Sequence, residues 1–124
     1  LINGMNVFSF AISRPPKSVE KFLTDYKINR DTDIDYFLIH QANKMIVDRI
    51  VKKLKLPQEK VPYNLEEFGN LGGASIPSLM VTRLRKQLMS KETTLLMSSF
   101  GLGLTWGTMW MKTKPMVMPD IIGI

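Results

Sequence analysis

The feature that most constrains this chain is an abrupt change of pattern at residue 40. Tyr36-Phe37-Leu38-Ile39 is a continuous apolar run, preceded by the polar turn Asn29-Arg30-Asp31-Thr32-Asp33. A short run that is apolar at every position reads as a buried strand of a parallel sheet. His40-Gln41-Ala42-Asn43 follows at once, and then the period becomes helical. Ile46, Val47, Ile50, Val51 and Leu54 form the inner stripe, while Lys44, Arg49, Lys52, Lys53 and Lys55 crowd the remaining surface. Pro57 closes this helix, since proline cannot continue a helix interior. A strand feeding straight into a helix is the opening of an α/β unit.

The rest of the chain extends that reading. Met5 to Ile12 is an apolar stretch ended by Pro15-Pro16, with Asn3 and Gly4 as cap residues, and it predicts a short helix. Pro16 suits the first turn of a second helix, in which Val19, Phe22, Leu23 and Tyr26 make one apolar face. Val61-Pro62-Tyr63 reads as a short edge strand, because proline in a strand is confined to edges. Gly69-Asn70-Leu71-Gly72-Gly73 is a glycine-rich loop opening onto a helix from about Ala74 to Met89, with Pro77 in its first turn. Thr94 to Ser98 is a second buried strand. Gly101-Leu102-Gly103 is a tight turn, and Thr105 to Met111 is a third strand, hairpin-paired with its predecessor. Strands alternating with helices, then a closing hairpin, predict an α/β fold whose sheet is mixed. The domain spans residues 1–112, and a tail without clear period covers 113–124.

Composition excludes several function classes. With no cysteine and a single histidine in 124 residues, disulfides, zinc–thiolate sites and multi-histidine metal sites cannot be built here, and no metal or other cofactor is expected. No run of apolar residues is long enough for a membrane-spanning helix. Leu1-Ile2-Asn3-Gly4 has neither an initiating Met nor the basic start of a signal peptide, and reads as the beginning of a fragment. The net charge of +6 favours an anionic partner. Nucleic acid ranks low as that partner, because the aromatics lie in strand-like runs apart from the lysine helix.

Ligands in open α/β sheets gather at the carboxyl ends of parallel strands. Three features fall at such ends: His40, the loop around Asn70, and Gly101-Leu102-Gly103. Each has a plainer reading. A lone histidine at a strand end is commonly a hydrogen-bonded structural residue, Gly69-Asn70 suits a turn, and Gly101-Leu102-Gly103 suits a hairpin. The glycine loop lacks both the GxGxxG spacing and the lysine of a nucleotide-binding loop. Trp106 and Trp110, four positions apart, share one side of a strand and read as core or sheet-face packing.

Taken together, these segments resemble the C-terminal portion of β-ketoacyl-acyl carrier protein synthase III. The matching stretches are Gly4-Met5-Asn6-Val7-Phe8-Ser9-Phe10-Ala11, Ile34-Asp35-Tyr36, His40-Gln41-Ala42-Asn43, Phe68-Gly69-Asn70 with Ala74-Ser75-Ile76-Pro77, and Phe100-Gly101-Leu102-Gly103-Leu104-Thr105-Trp106-Gly107. They occur in family order and run to about Lys112.

The resemblance implies the C-terminal part of a thiolase-like fold and a Cys-His-Asn triad, with His40 and Asn70 as its histidine and asparagine. The cysteine belongs to an N-terminal half outside this sequence, so these residues alone are expected to be inactive. In the family it takes an acyl group from acyl-CoA, and malonyl-acyl carrier protein then loses CO₂ to give the attacking enolate. The backbone N–H of Leu102, at a position usually glycine in the family, is implied to complete an oxyanion hole. Asn43 is implied to hold the loop carrying His40. Lys44, Lys52 and Lys53 are implied to dock the acidic acyl carrier protein, and Met45 replaces a family arginine. The complete enzyme is expected to be a cytoplasmic homodimer. A related activity stays open: acyl transfer to an oxygen or nitrogen nucleophile, with His40 as general base.

Overall fold

The computed structural model describes residues 4–122. Its element order is α1 (Gly4–Ala11), α2 (Arg14–Asp25), β1 (Tyr36–Ile39), α3 (Lys44–Leu54), α4 (Leu65–Phe68), α5 (Ser75–Arg83), α6 (Arg85–Ser90), β2 (Thr93–Gly101) and β3 (Thr105–Thr113). The strands form one mixed sheet in the order β1-β2-β3. β1 runs parallel to β2, with Tyr36 opposite Leu95, and β3 returns antiparallel, with Phe100 opposite Trp106. The outer edges of β1 and β3 carry no strand partner among the described residues.

Alternation along the strands sorts the core into two. On one face Phe37, Ile39, Leu96 and Phe100 pack against α1, α2 and α3 through Phe10, Val19, Leu23, Ile46 and Ile50. On the other, Leu38, Leu95 and Met97 pack against Leu79, Leu84 and Leu88 of the α5–α6 region and against Met118 of the tail. This explains why β1 is apolar at every position, since both faces are covered. The parallel register is bolted at its start by Asp35, whose N–H donates to Thr94 O at 2.9 Å and whose Oδ2 accepts from Thr94 N at 2.7 Å.

The lysine helix α3 forms as its sequence directs. Asn43, in extended conformation, caps it by accepting from Ile46 N at 2.8 Å, and such a cap contributes about 1 kcal/mol. The predicted stripe Ile46, Val47, Ile50, Val51 and Leu54 is buried. Each such side chain stabilises by roughly 1.5–3 kcal/mol relative to exposure. At the other end Lys55 takes a left-handed conformation (φ 51°), and the Arg30 guanidinium donates to the Leu54 carbonyl. Lys52 and Lys53 lie in the last turn, where positive charge suits the helix dipole.

The structure departs from the sequence reading in several places. Val61-Pro62-Tyr63 is not a strand. A 3₁₀ turn at Gln58–Lys60 precedes it, Val61 enters the first core, and the Tyr63 carbonyl is taken by Arg83 Nε at 2.6 Å. The expected helix from Ala74 to Met89 is two helices broken at Leu84 (φ −113°, ψ 4°). At about 100° per residue a continuous helix would set Leu79 and Leu84 roughly 140° apart, whereas the break lets both enter the second core.

β2 extends to Gly101 and β3 to Thr113, beyond the expected ends. The tail is docked as well. Met116 N donates to Leu88 O at 2.9 Å, Met118 is buried, and Arg85 Nε reaches the Met118 and Pro119 carbonyls. The expectation that Asn3 caps α1 lies outside the described residues, and Gly4 is the first helical residue described.

Candidate active site

His40 stands at the carboxyl end of β1, where the parallel ladder still holds it. Its N–H donates to Ser98 O at 2.9 Å, and its carbonyl accepts from Ala42 N at 2.9 Å. The side chain is 8% exposed, and its ring lies edge-on to Phe100 with centroids 5.1 Å apart. Neither ring nitrogen has a hydrogen-bond partner among the described residues. Burial lowers its pKa from the ordinary value of 6.5, because desolvation disfavours the imidazolium. The ring is therefore neutral at pH 7, with one N–H donor and one acceptor.

Asn70 arrives from a different part of the chain. The short helix α4 ends at Gly69, which takes φ 63°, and this turns the chain so that Asn70 begins the glycine loop. Asn70 Oδ1 accepts from Gly72 N at 2.9 Å. That bond assigns the carboxamide: the oxygen is engaged in its own loop, and the amide nitrogen is left as a free donor.

His40 and Asn70, 30 positions apart, line one cavity of about 570 Å³. The other walls come from Gly72 and Gly73 and from the β2–β3 hairpin, with Phe100, Leu102, Thr105 and Trp106. Of the described residues lining it, His40 alone ionises. The cavity lies where the carboxyl ends of the two parallel strands meet the glycine loop, as open α/β sheets favour. Two neutral side chains able to donate, in a site with few charges, suit the stabilisation of an oxyanion or enolate.

Leu102 also lines the cavity, at the tip of the hairpin, with its side chain 72% exposed. Thr105 Oγ1 donates to its carbonyl at 3.0 Å. The turn is completed by Gly103 (φ 94°) and by Leu104 at φ 36°, a conformation seldom adopted by a residue with a branched side chain.

The remaining predicted residues lie outside the cavity lining. Asn43 caps α3 directly after the His40 loop and makes no hydrogen bond to His40. Lys44 pairs with Asp48 at 2.8 Å and lies 5.4 Å from the Tyr63 ring centroid. The Asp48 hydrogen bond raises the Lys44 pKa and lowers that of Asp48. Lys53 donates to Ile12 O at 3.1 Å. Lys52, beside Arg49, borders two shallow surface hollows and has no ion pair among the described residues.

A third hollow, between α1 and α3, is apolar and lined by Met5, Val7, Phe8, Ile12, Met45 and Ile46.

Sequence reasoning missed two kinds of residue. Trp106 was expected in packing; it does meet Phe10 edge-on at 5.6 Å, but it is 46% exposed and forms a cavity wall. Trp110 is 41% exposed. Gln41 and Asn64 are buried polar residues outside the cavity lining; for Gln41 the available signal was its place in the His40-Gln41-Ala42-Asn43 motif.

Residues 27–113 match the sequence model of a family described as 3-oxoacyl-[acyl-carrier-protein (ACP)] synthase III C terminal. The chain belongs to this family. Among relatives of this synthase III segment, the β-ketoacyl-[acyl-carrier-protein] synthase III of Microcystis aeruginosa is 44% identical over 107 residues, covering 86% of this chain and 32% of that protein. The protein of the same name from Acaryochloris marina is 42% identical over 106 residues, with the same two coverages. The segment thus spans about a third of the length of these relatives.

Solved structures agree. A 3-oxoacyl-(acyl-carrier protein) synthase from Burkholderia xenovorans superimposes with a TM-score of 0.91 at 35% identity, over 97% of this chain and 34% of that one. The 3-oxoacyl-(acyl carrier protein) synthase III of Pseudomonas aeruginosa gives 0.82 at 31% identity, over 96% and 37%. The fold of the synthase III segment is accordingly the C-terminal part of a thiolase-like fold, a mixed sheet with packed helices and a closing hairpin. Among the described residues, no helix is long and apolar enough to cross a membrane.

Proposed function

We propose that this chain supplies the enolate-stabilising residues of a decarboxylating condensing enzyme that joins an acyl group from acyl-CoA to malonyl-acyl carrier protein. The observation that carries this reading is the shared cavity, which His40 and Asn70 both line. Loss of CO₂ from a malonyl thioester leaves an electron pair on the α-carbon, delocalised onto the thioester oxygen. Donors already aimed at that oxygen stabilise it most in the transition state, and one such donor is typically worth about 3–4 kcal/mol of barrier.

No cysteine is present in this sequence, so the acyl thioester forms on a segment outside these residues. Once the acyl group is on that thiol, the enolate carbon attacks its carbonyl, the C–S bond breaks, and the β-ketoacyl product stays on the carrier. The Leu102 N–H serves as an oxyanion donor in this acyl-enzyme step. Lys52 on α3 attracts the acidic carrier, with Lys44 and Lys53 lending field while held by Asp48 and Ile12. The complete enzyme works as a cytoplasmic homodimer.

The deciding experiment gives the complete synthase containing this segment a ¹⁴C-carboxyl-malonyl carrier protein and an acyl-CoA. Released ¹⁴CO₂ together with a β-ketoacyl-carrier product supports condensation. Acyl transfer to an oxygen or nitrogen acceptor without CO₂ release overturns it in favour of the transferase reading. The 124 residues alone should form no acyl-enzyme.

A further inference from the structure

Next to His40 in the chain lies a buried polar junction that none of the roles above employs. Gln41, adjacent to His40, is 0% exposed, and Asn64 is 2% exposed. Neither lines the cavity. Gln41 Nε2 donates to Ile39 O at 2.8 Å, closing the chain around His40. Its Oε1 accepts from Asn64 N at 3.4 Å. The Asn64 carbonyl in turn accepts from Glu67 N at 3.2 Å and Phe68 N at 3.0 Å, the first turn of the helix that delivers Gly69 and Asn70. Asn64 Nδ2 donates to Ser78 Oγ at 2.9 Å and Thr82 Oγ1 at 3.2 Å, both on α5.

Three elements thus meet at two buried carboxamides: the His40 loop, the α4 turn leading to Asn70, and α5. Gln41 engages both ends of its carboxamide, and Asn64 engages its Nδ2 while its Oδ1 has no hydrogen-bond partner among the described residues. Buried hydrogen bonds of this kind rigidify the elements they join. The two cavity donors sit on loops, which by themselves hold side chains less closely than helices or strands do. We infer that Gln41 and Asn64 are positioning residues that hold the His40 imidazole and the Asn70 carboxamide in register on one oxyanion. The inference rests on the reading of the cavity as a catalytic site, and it extends that reading to residues that never touch substrate.

The test uses the complete synthase with Gln41→Met, which keeps side-chain length and removes both hydrogen bonds. Displacing a reacting group by about 1 Å can lower turnover on the order of 100-fold. The expected result is a kcat for malonyl decarboxylation reduced about 10- to 100-fold, with KM and circular dichroism unchanged. Placed on a His40→Ala/Asn70→Ala background, Gln41→Met should leave the residual rate unchanged, because both groups it positions are gone. A wild-type kcat in Gln41→Met, or the same fractional loss on both backgrounds, overturns the inference. Should Gln41→Met fail to fold, Asn64→Ser, which is too short to span to Ser78 and Thr82, is read by the same pair of measurements. A wild-type enzyme that moves acyl groups without CO₂ release would instead refute the condensation reading, and the acyl-transfer rate then decides the positioning role on the same variants.

Discussion

The N–H of Gly72 donates to Oδ1 of Asn70 at 2.9 Å, and this one bond decides which end of the carboxamide remains available to a ligand. A carboxamide free to rotate would present its oxygen as often as its nitrogen. Here the loop consumes the acceptor and leaves the donor. The acceptor bond also makes one substitution at this position informative.

Asn70→Asp keeps the acceptor for Gly72 and removes the donor. Loss of one preorganised donor lowers kcat by about 10²–10³-fold, so malonyl decarboxylation by the complete synthase should fall by that order. Formation of the acyl-enzyme from acyl-CoA should be little changed, because the enolate arises only afterwards. Radiolabelled CO₂ release and single-turnover acylation, measured side by side, check the separation.

The acid limb of the decarboxylation rate should lie below pH 6.5, because burial lowers the His40 pKa from that value. The same shift makes stability depend on pH. The unfolded chain binds this proton more readily than the folded one, so stability rises with pH across the interval between the two pKa values. His40 therefore has no effect above 6.5 and destabilises progressively as the pH falls toward its lowered value. Asp33 and Asp48, also lowered, contribute a constant stabilisation above the ordinary carboxylate value of 3.8 and lose it only as the pH falls below that value. Urea midpoints between pH 7.5 and 5 should fall less in His40→Gln than in the parent.

Charge reversal on α3 should separate the lysines. Lys52→Glu removes a cation with no ion pair among the described residues, whereas Lys44 is already paired with Asp48. Electrostatic steering acts mainly on association. The expected outcome is a KM for malonyl-carrier protein raised about 10-fold in Lys52→Glu and less in Lys44→Glu, with the difference fading in high salt. The KM for acyl-CoA serves as the control.

Asn43→Ala should act on stability before chemistry. It removes the cap on Ile46 N and costs about 1 kcal/mol, a fall of a few degrees in Tm. The kcat of the folded enzyme should change less than in Gln41→Met, because Asn43 holds the start of α3 and makes no bond to His40. Thermal melts and steady-state rates on the same samples check both halves.

Much of the fold was legible because its signals are local. The stripe on α3, the apolar run of β1, the proline start of α2 and the hairpin turn are each written within about ten residues, and each formed where expected. Errors arose where distant partners decide. Val61 and Tyr63 have strand-like residue types but no neighbouring strand, so their polar and apolar groups are satisfied by α5 and the core instead. Leu84 breaks a helix whose local pattern allowed continuation, because two leucines five positions apart both had to reach one sheet face. Trp106 is apolar enough for a core, yet it borders the cavity because β3 is an edge strand with an open face.

By itself, then, the sequence determined the α/β alternation, the buried stripe of α3, the absence of a nucleophilic thiol, and the motifs around His40 and Asn70 that resemble one family. Each of these depends on residue types and spacings that act over a turn or two of chain. Only the tertiary structure decided that the imidazole and the carboxamide share a cavity, that Asn70 offers its nitrogen, and that Gln41 and Asn64 tie the two loops together. The Asn70 carboxamide is set by Gly72, two positions on, through a loop conformation that residue types alone do not fix. The shared cavity and the junction depend on contacts between segments well separated in sequence, 23 positions for Gln41 and Asn64 and 14 for Asn64 and Ser78, where packing sets the distance and no local pattern can.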